Sequence, residues 1–136
     1  MIKNYTPQPY AGGNPLPAYV DNVNEYELVG TAPGGYKVTL AKLSVGESKS
    51  AGNPLTHALF ESYTDHGERA MAARTRVSGY DREFVAVRSA MAEAGVEFHP
   101  MLPCSNEELL EKLGDWFAVQ NPELTEVSVL VSQRCH

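Results

Sequence analysis

Alternation of hydrophobic and polar residues predicts a β-hairpin in the first third of the chain. Residues 26–31 and 36–45 alternate along two short stretches, and Pro-Gly-Gly at 33–35 between them is typical of a turn. The polar stretch 46–53 is predicted as a loop, and residues 57–64 as a third strand. An antiparallel sheet is therefore expected to begin early in the chain.

The pattern at residues 68–77 fits two elements. As a strand, it would place Arg74 and Arg76 on one face and direct the residues between them to the core. As an alanine-rich helix, it would place Arg69 and Arg76 on one face and turn Arg74 away. The sequence leaves both interpretations open.

Two helices are predicted in the second half of the chain. The first covers residues 82–94, with Asp81 as its N-cap and Gly95 at its end. The second begins with a capping box, in which Ser105 is the cap and Glu108 stands three residues later. Both helices carry apolar residues at helical spacing, so each is expected to cover the sheet.

The remaining elements are two strands. Residues 96–98 are predicted as a short strand, and residues 124–131 alternate in the manner of a half-buried one. Strands followed by helices are typical of the α+β class. The predicted fold is a largely antiparallel sheet of about four to five strands with two helices packed on one side.

The N-terminal residues predict an extended arm. Four prolines and two glycines in residues 6–22 exclude regular helix, because proline lacks a backbone donor. We therefore divide the chain into an arm at 1–22 and a single α+β domain at 23–136. The arm is also a candidate for self-association, since it carries the aromatic residues Tyr5, Tyr10 and Tyr19.

Composition limits the classes of function. The chain has 136 residues, a formal net charge of −6 and a pI near 5.1, which argues against a general nucleic-acid binder. No apolar run is long enough to span a bilayer, and no signal peptide is visible. The two cysteines, Cys104 and Cys135, suit a reducing compartment. The expected location is cytoplasmic, without membrane association.

A local basic cluster contrasts with this acidic chain. Five of the six arginines fall within twenty residues, where Asp81 and Glu83 are the only acidic residues. Guanidinium groups bind phosphate or carboxylate through paired hydrogen bonds. The alternative is a solvated face paired with the chain's own carboxylates. The candidate binding residues are Arg69, Arg74, Arg76, Tyr80, Arg82 and Arg88.

Evidence for an enzyme or a metal site is weaker. His66 lies between Asp65 and Glu68, so a general acid–base role is one alternative. No phosphate-binding or dinucleotide motif occurs, and no cofactor is expected. Residue types alone would allow zinc ligands, but without the usual spacing, so no metal is predicted; these residues are His99, Cys104, Cys135 and His136.

The segment from Arg74 to Phe84, in which arginines lead through Ser-Gly-Tyr-Asp into a helix, resembles a pattern in small accessory proteins of phages and mobile elements. Anti-CRISPR and other anti-defence proteins belong to this group. The resemblance implies a non-enzymatic protein that binds and blocks a host macromolecular complex. The alternative is a small-ligand protein that binds a nucleotide or phosphorylated metabolite through the same arginines, with Tyr80 stacked on a base.

Overall fold

The computed structural model describes residues 1–13, 15–50, 52–63, 69–77, 82–98 and 104–134. These residues contain six strands and two helices. In chain order they are β1 (Ile2–Pro9), β2 (Asp21–Thr31), β3 (Lys37–Ser50), β4 (Asn53–Tyr63), β5 (Arg69–Val77), α1 (Arg82–Glu93), α2 (Asn106–Gln120) and β6 (Glu126–Arg134). The predicted α+β class is confirmed.

The strands form one mixed sheet in the order β1-β6-β2-β3-β4-β5. All neighbouring pairs are antiparallel except β1 with β6, so the prediction of a largely antiparallel sheet is also confirmed. Residues 69–77, for which the sequence allowed strand or helix, form the edge strand β5. The sheet is larger than the four to five strands predicted.

The additional strand is β1, which lies within the segment predicted as an extended arm. It pairs in parallel with β6 at the edge of the sheet, with Lys3 opposite Val127 and Pro9 opposite Val131. Proline is tolerated in an edge strand, because the missing N–H need not face a neighbouring strand. The proline density that excluded helix therefore did not exclude a strand.

The predicted hairpin turn lies between β2 and β3. Gly34 and Gly35 have φ angles of 92° and 87°, in the left-handed region that favours glycine. The amide of Ala32 donates to the carbonyl of Tyr36 at 2.7 Å and closes the turn. The polar stretch 46–53, predicted as a loop, instead extends β3 to Ser50, because its polar residues can occupy the solvent side of the sheet.

Local capping signals correctly mark two of the helix ends. The amides of Gly95 and Val96 donate to the carbonyls of Ala92 and Met91, which is the Schellman arrangement at the end of α1. Residues 96–98 consequently continue from this cap and do not form the predicted strand. Ser105 caps α2 by accepting from the amide of Glu108 at 3.1 Å, and the Asn121 amide ends α2 on the carbonyl of Phe117. The predicted cap Asp81 lies outside the described residues.

One face of the sheet packs against both helices. Val131, Tyr26, Leu43, Phe60 and Ala73 are in register across five neighbouring strands. The four from Tyr26 to Ala73 are buried in a hydrophobic cluster shared with Met91 of α1 and Leu113 of α2, and Val131 packs against it half-buried. This burial stabilises the fold and fixes which side chains of each strand point away from the helices. Neither α1 nor α2, the helices of the described part of the chain, is long and apolar enough to cross a membrane.

The opposite face, which we call the polar face, carries charged and polar side chains on most strands. Residues 16–20 lie against one end of it, where Leu16 and Val20 form a second small cluster with Val23 and Leu59. The backbone amide of Gly13 donates to the carboxylate of Glu25 on this face at 3.2 Å. The segment after β1 thus covers part of the polar face.

Candidate binding site

Two of the predicted arginines lie side by side on the polar face. Arg74 and Arg76 are exposed and occupy alternate positions of β5. Thr75 between them points to the helices and donates a hydrogen bond to the carbonyl of Ala86 in α1 at 2.6 Å. Because successive strand residues point to opposite faces, this contact directs both guanidinium groups away from the core.

Arg88 lies on the other side of the sheet. It is 9% exposed, its guanidinium carbon lies 4.5 Å from the centre of the Phe84 ring, and Nη2 is 2.9 Å from the sulfur of Cys104. Phe84 and Arg88 are four residues apart on α1, so they share one side of the helix. The structure therefore separates Arg88 from Arg74 and Arg76.

The remaining predicted site residues are described only by their backbone position or lie outside the described part of the chain. Arg69 and Arg82 are the first residues of β5 and α1. Tyr80 lies outside the described residues, as does the candidate acid–base group at 65–68. The site described below is therefore built on Arg74 and Arg76, and the roles of the other candidates stay predictions.

Neither Arg74 nor Arg76 forms an ion pair within the described part of the chain. A nearby carboxylate on the polar face, Glu61, accepts a hydrogen bond from the Tyr63 hydroxyl at 3.3 Å. Lys42 lies opposite Glu61 in the ladder, and its ammonium nitrogen is 5.6 Å from the centre of the Tyr63 ring. The two guanidinium groups are thus positioned to receive an anion from outside.

His57 is a further member of this site. It lies on β4 directly opposite Arg76, whereas Arg74 is opposite Leu59. The imidazole is 2% exposed, and its Nε2 shares a 2.6 Å hydrogen bond with the hydroxyl of Ser48 on β3. The ring of Tyr19 meets it edge-on, with 5.9 Å between ring centres. The imidazole therefore lies where β3, β4, β5 and the segment containing Tyr19 meet.

The charge state of His57 follows from these surroundings. Burial lowers the pKa of the imidazole below its usual 6.5, and the positive charges of Arg76 and then Arg74 lower it further. At neutral pH the ring is therefore uncharged. An uncharged imidazole has one donating and one accepting nitrogen, so it is compatible with both the Ser48 hydroxyl and the neighbouring arginines.

Two clefts flank Arg74 along the polar face. One, with a volume of about 240 Å³, is lined by Pro17, Tyr19, His57, Arg74, Thr75 and Arg76. The other, of about 380 Å³, is lined by Pro15, Leu59, Glu61, Ala72, Ala73 and Arg74. Among the described residues that line them, the first has two arginines and no carboxylate, whereas the second has Glu61. The first cleft, which we call the arginine cleft, is therefore the better suited of the two to an anion.

Sequence reasoning missed His57 and Ser48, and it named Tyr19 as a docking residue of the arm without its contact to His57. His57 was assigned to a strand, but its relation to the arginines depends on the pairing of β4 with β5. Tyr19 reaches the site because residues 16–20 fold back on the polar face. No spacing motif in the sequence carries either relationship.

Within the described residues, no group of three or more histidine, cysteine, aspartate and glutamate side chains is arranged to hold a metal ion. Cys104, the candidate ligand that is described, contacts Arg88. No family model matches the chain, and comparison with curated proteins and with solved structures finds no significant match. The function is therefore inferred from the geometry of the site.

Proposed function

We propose that this chain is a non-enzymatic binding protein that holds an acidic surface of a partner protein through Arg74, Arg76 and Tyr19. These three residues are called the arginine face below. The observation that carries the proposal is the pair of exposed guanidinium groups, which form no ion pair in the described part of the chain although the protein has a net charge of −6.

The spacing of the two guanidinium groups suits a protein surface. Alternate residues of a strand are about 6.8 Å apart, so each arginine can engage a separate carboxylate through two parallel hydrogen bonds. Both arginines project from a strand held by hydrogen bonds to β4 and by the contact of Thr75 with α1. Tyr19 is 63% exposed and adds an amphipathic ring beside them.

The distribution of charge on the protein favours one orientation of an approaching acidic partner. An acidic partner is repelled by most of this negatively charged protein and attracted by the arginine face. Such asymmetry steers the encounter, raises the association rate and makes it dependent on salt. Binding is therefore expected to weaken as ionic strength increases.

The kind of partner we propose is a host macromolecular complex that is blocked by binding. The resemblance of the segment from Arg74 to Phe84 to small anti-defence proteins supports this part of the proposal. The exposed position of Arg74 and Arg76 at the start of that segment agrees with a contact surface there.

The test compares two variants of the same charge by affinity capture from bacterial lysate with mass-spectrometric identification. The first is Arg74→Glu with Arg76→Glu. The matched control is Lys37→Glu with Lys112→Glu, which changes two exposed cations elsewhere on the protein. We expect a stoichiometric partner to be retained by the native chain and the control and lost by the arginine variant.

The purified partner then provides the decisive measurement. Its dissociation constant is determined at low and high salt for the native chain and both double variants. Loss of affinity and of most of the salt dependence in the arginine variant alone supports the proposal. Equal affinity and equal salt dependence in the arginine and control variants would show that the interface lies elsewhere.

A further inference from the structure

The arginine cleft has a feature that recognition of a flat acidic surface does not require. It combines two guanidinium groups with a nearly buried imidazole, and no carboxylate occurs among the lining residues that the structure describes. Arg76 is the direct cross-strand neighbour of His57, and Arg74 is the diagonal neighbour. Directly opposite side chains in an antiparallel pair have Cβ atoms about 5 Å apart. All three can therefore reach one small group.

We propose that the arginine cleft is a binding site for a small oxyanion, a phosphate group that is free or carried by a small metabolite, held by Arg74, Arg76 and His57. The residue types decide that the ligand is negatively charged, because guanidinium groups are cationic and present hydrogen-bond donors only. Oxygens that accept several hydrogen bonds at once, as in phosphate, match this arrangement.

The size of the cleft limits the ligand further. Sites that enclose a drug-sized ligand measure roughly 300 to 1,000 Å³. At about 240 Å³ the arginine cleft is smaller and suits a phosphate group, so part of a larger metabolite such as a nucleotide would extend beyond it. Tyr19 at the rim, 63% exposed, is positioned to contact that outer part.

Proton uptake on binding follows from the same geometry. The unliganded imidazole is kept neutral by burial and by Arg76 and Arg74, and among the described residues the ring of Tyr19 also packs against it. On its own strand the nearest carboxylate is Glu61, beyond Leu59 and in the neighbouring cleft. A bound dianion offsets the field of the arginines and favours imidazolium, so it raises the pKa of His57. Binding of an anion whose own charge does not change with pH, such as sulfate, is then tighter at lower pH.

Ser48 is a positioning residue in this arrangement. Its hydroxyl lies 2.6 Å from Nε2 of His57 and fixes the orientation of the ring relative to β5. We expect Ser48→Ala to reduce anion affinity less than Arg76→Gln does. Ser48→Ala should also change the chemical shift and the pH titration of the His57 ring, while the arginines keep their contacts with the anion.

The experiment is isothermal titration calorimetry of the full chain with inorganic sulfate, inorganic phosphate and AMP at constant ionic strength. Sulfate stays a dianion near neutral pH, so any protons taken up when it binds are taken up by the protein. Titration in two buffers of different ionisation enthalpy measures that uptake. We expect saturable binding with proton uptake, an affinity loss of about tenfold or more in Arg76→Gln, and weaker binding without proton uptake in His57→Gln.

NMR titration of the native protein provides a measurement that does not depend on a variant folding. The pKa of His57 should rise when sulfate is added. Absence of saturable binding by all three probes, or an unchanged pKa of His57 in saturating sulfate, would overturn the proposal. Tighter binding of AMP than of phosphate assigns the ligand to a carried phosphate, and equal affinity assigns it to the free ion.

The experiments distinguish failure of the anion site from failure of the proposed function. A native chain that binds no oxyanion but loses its protein partner in the arginine double variant would disprove the anion site alone. A His57→Gln variant that keeps the partner and binds sulfate without proton uptake would support both roles of the surface. An anion site with no dependence of partner binding on Arg74 and Arg76 would disprove the proposed function alone.

Discussion

Arg76 lies directly opposite His57 in the antiparallel pairing of β4 and β5, and both side chains belong to the polar face of the sheet. Arg74, one alternate position away, is the diagonal neighbour of the same imidazole. The two arginines lower the pKa of His57 in the order of these positions, with Arg76 having the larger effect. Burial is the largest cause of the lowered pKa, and strand register adds to it by placing the two arginines beside the ring.

The first prediction concerns that order. Replacing Arg76 by glutamine should raise the pKa of His57 more than replacing Arg74 by glutamine, because the direct neighbour contributes more to the shift. Burial remains in both variants, so both pKa values should stay below 6.5. NMR titration of the imidazole measures the three values. An equal or larger effect of Arg74→Gln would contradict the register described here.

The second prediction concerns acid stability. The pKa of His57 is lower in the folded protein than in the unfolded chain, so protons bind preferentially to the unfolded chain. The contribution of His57 to stability is complete above a pH of about 6.5 and decreases as the pH falls from there towards the folded-state pKa. We expect the native protein to lose free energy of unfolding across this window, and His57→Gln to lose less.

Urea denaturation at about pH 7.5 and pH 5.5 tests this for both proteins. Asp115 also has a shifted pKa, lowered by its hydrogen bonds with Tyr5 and Lys3. That shift changes the stability only as the pH falls below the ordinary aspartate pKa of 3.8, which lies outside this window. Identical decreases in the native protein and in His57→Gln would show that other groups dominate the acid response.

Local signals in the sequence predicted the helix ends well. The cap at Ser105 and the end of α1 at Gly95 depend on residues within four or five positions, so the sequence contains the whole interaction. The hairpin turn at 33–35 is local in the same sense. These elements could be predicted because each depends on backbone hydrogen bonds and φ angles that a short segment determines.

The site depends on contacts that are distant in sequence. Arg76 meets His57 through the register of two strands, and Tyr19 joins them from nearly forty residues away through packing of residues 16–20. The arginine cluster is continuous in sequence, but β5 and α1 place Arg74 and Arg88 on opposite sides of the sheet. Periodicity shows which residues of a helix or strand share a face, but it does not show which other elements that face contacts.

The third prediction concerns the attachment of β1 to α2. A Cβ atom at Gly114 would lie 2.6 Å from the ring of Tyr5, and the Tyr5 hydroxyl donates to Asp115 at 2.7 Å. Gly114→Ala should therefore displace the ring and destabilise the native protein by about 1–2 kcal/mol. In a Tyr5→Ala background the same change should stabilise by about 0.5–1 kcal/mol, because alanine is the better helix former.

Thermal or urea unfolding of the four proteins of this double-mutant cycle gives the coupling between the two positions. The diagnostic result is a reversal of sign between the two backgrounds. The same destabilisation with and without the Tyr5 side chain would mean that Tyr5 does not pack on Gly114.

The fourth prediction concerns the segment that brings Tyr19 to the arginine cleft. A Cβ atom at Gly46 of β3 would lie 2.5 Å from Val20 and 3.0 Å from the backbone oxygen of Asp21, so the segment would have to move. Gly46→Ala should destabilise the protein by about 1–3 kcal/mol, even though alanine is otherwise favoured over glycine in a strand. The matched control is Gly13→Ala, where no described atom beyond the chain neighbours lies within 4 Å of the added Cβ and the expected change is within about 0.5 kcal/mol.

Urea unfolding gives both stabilities, and the chemical shifts of the His57 ring report whether Tyr19 has moved, since the two rings are 5.9 Å apart. We expect these shifts to change in Gly46→Ala and to stay at their native values in Gly13→Ala. A Gly46→Ala protein with native stability and native His57 shifts would contradict the close packing of residues 16–20 on the polar face. The position of Tyr19 beside the arginine cleft depends on that packing, because Val20 is its neighbour in the chain and is fully buried against β3.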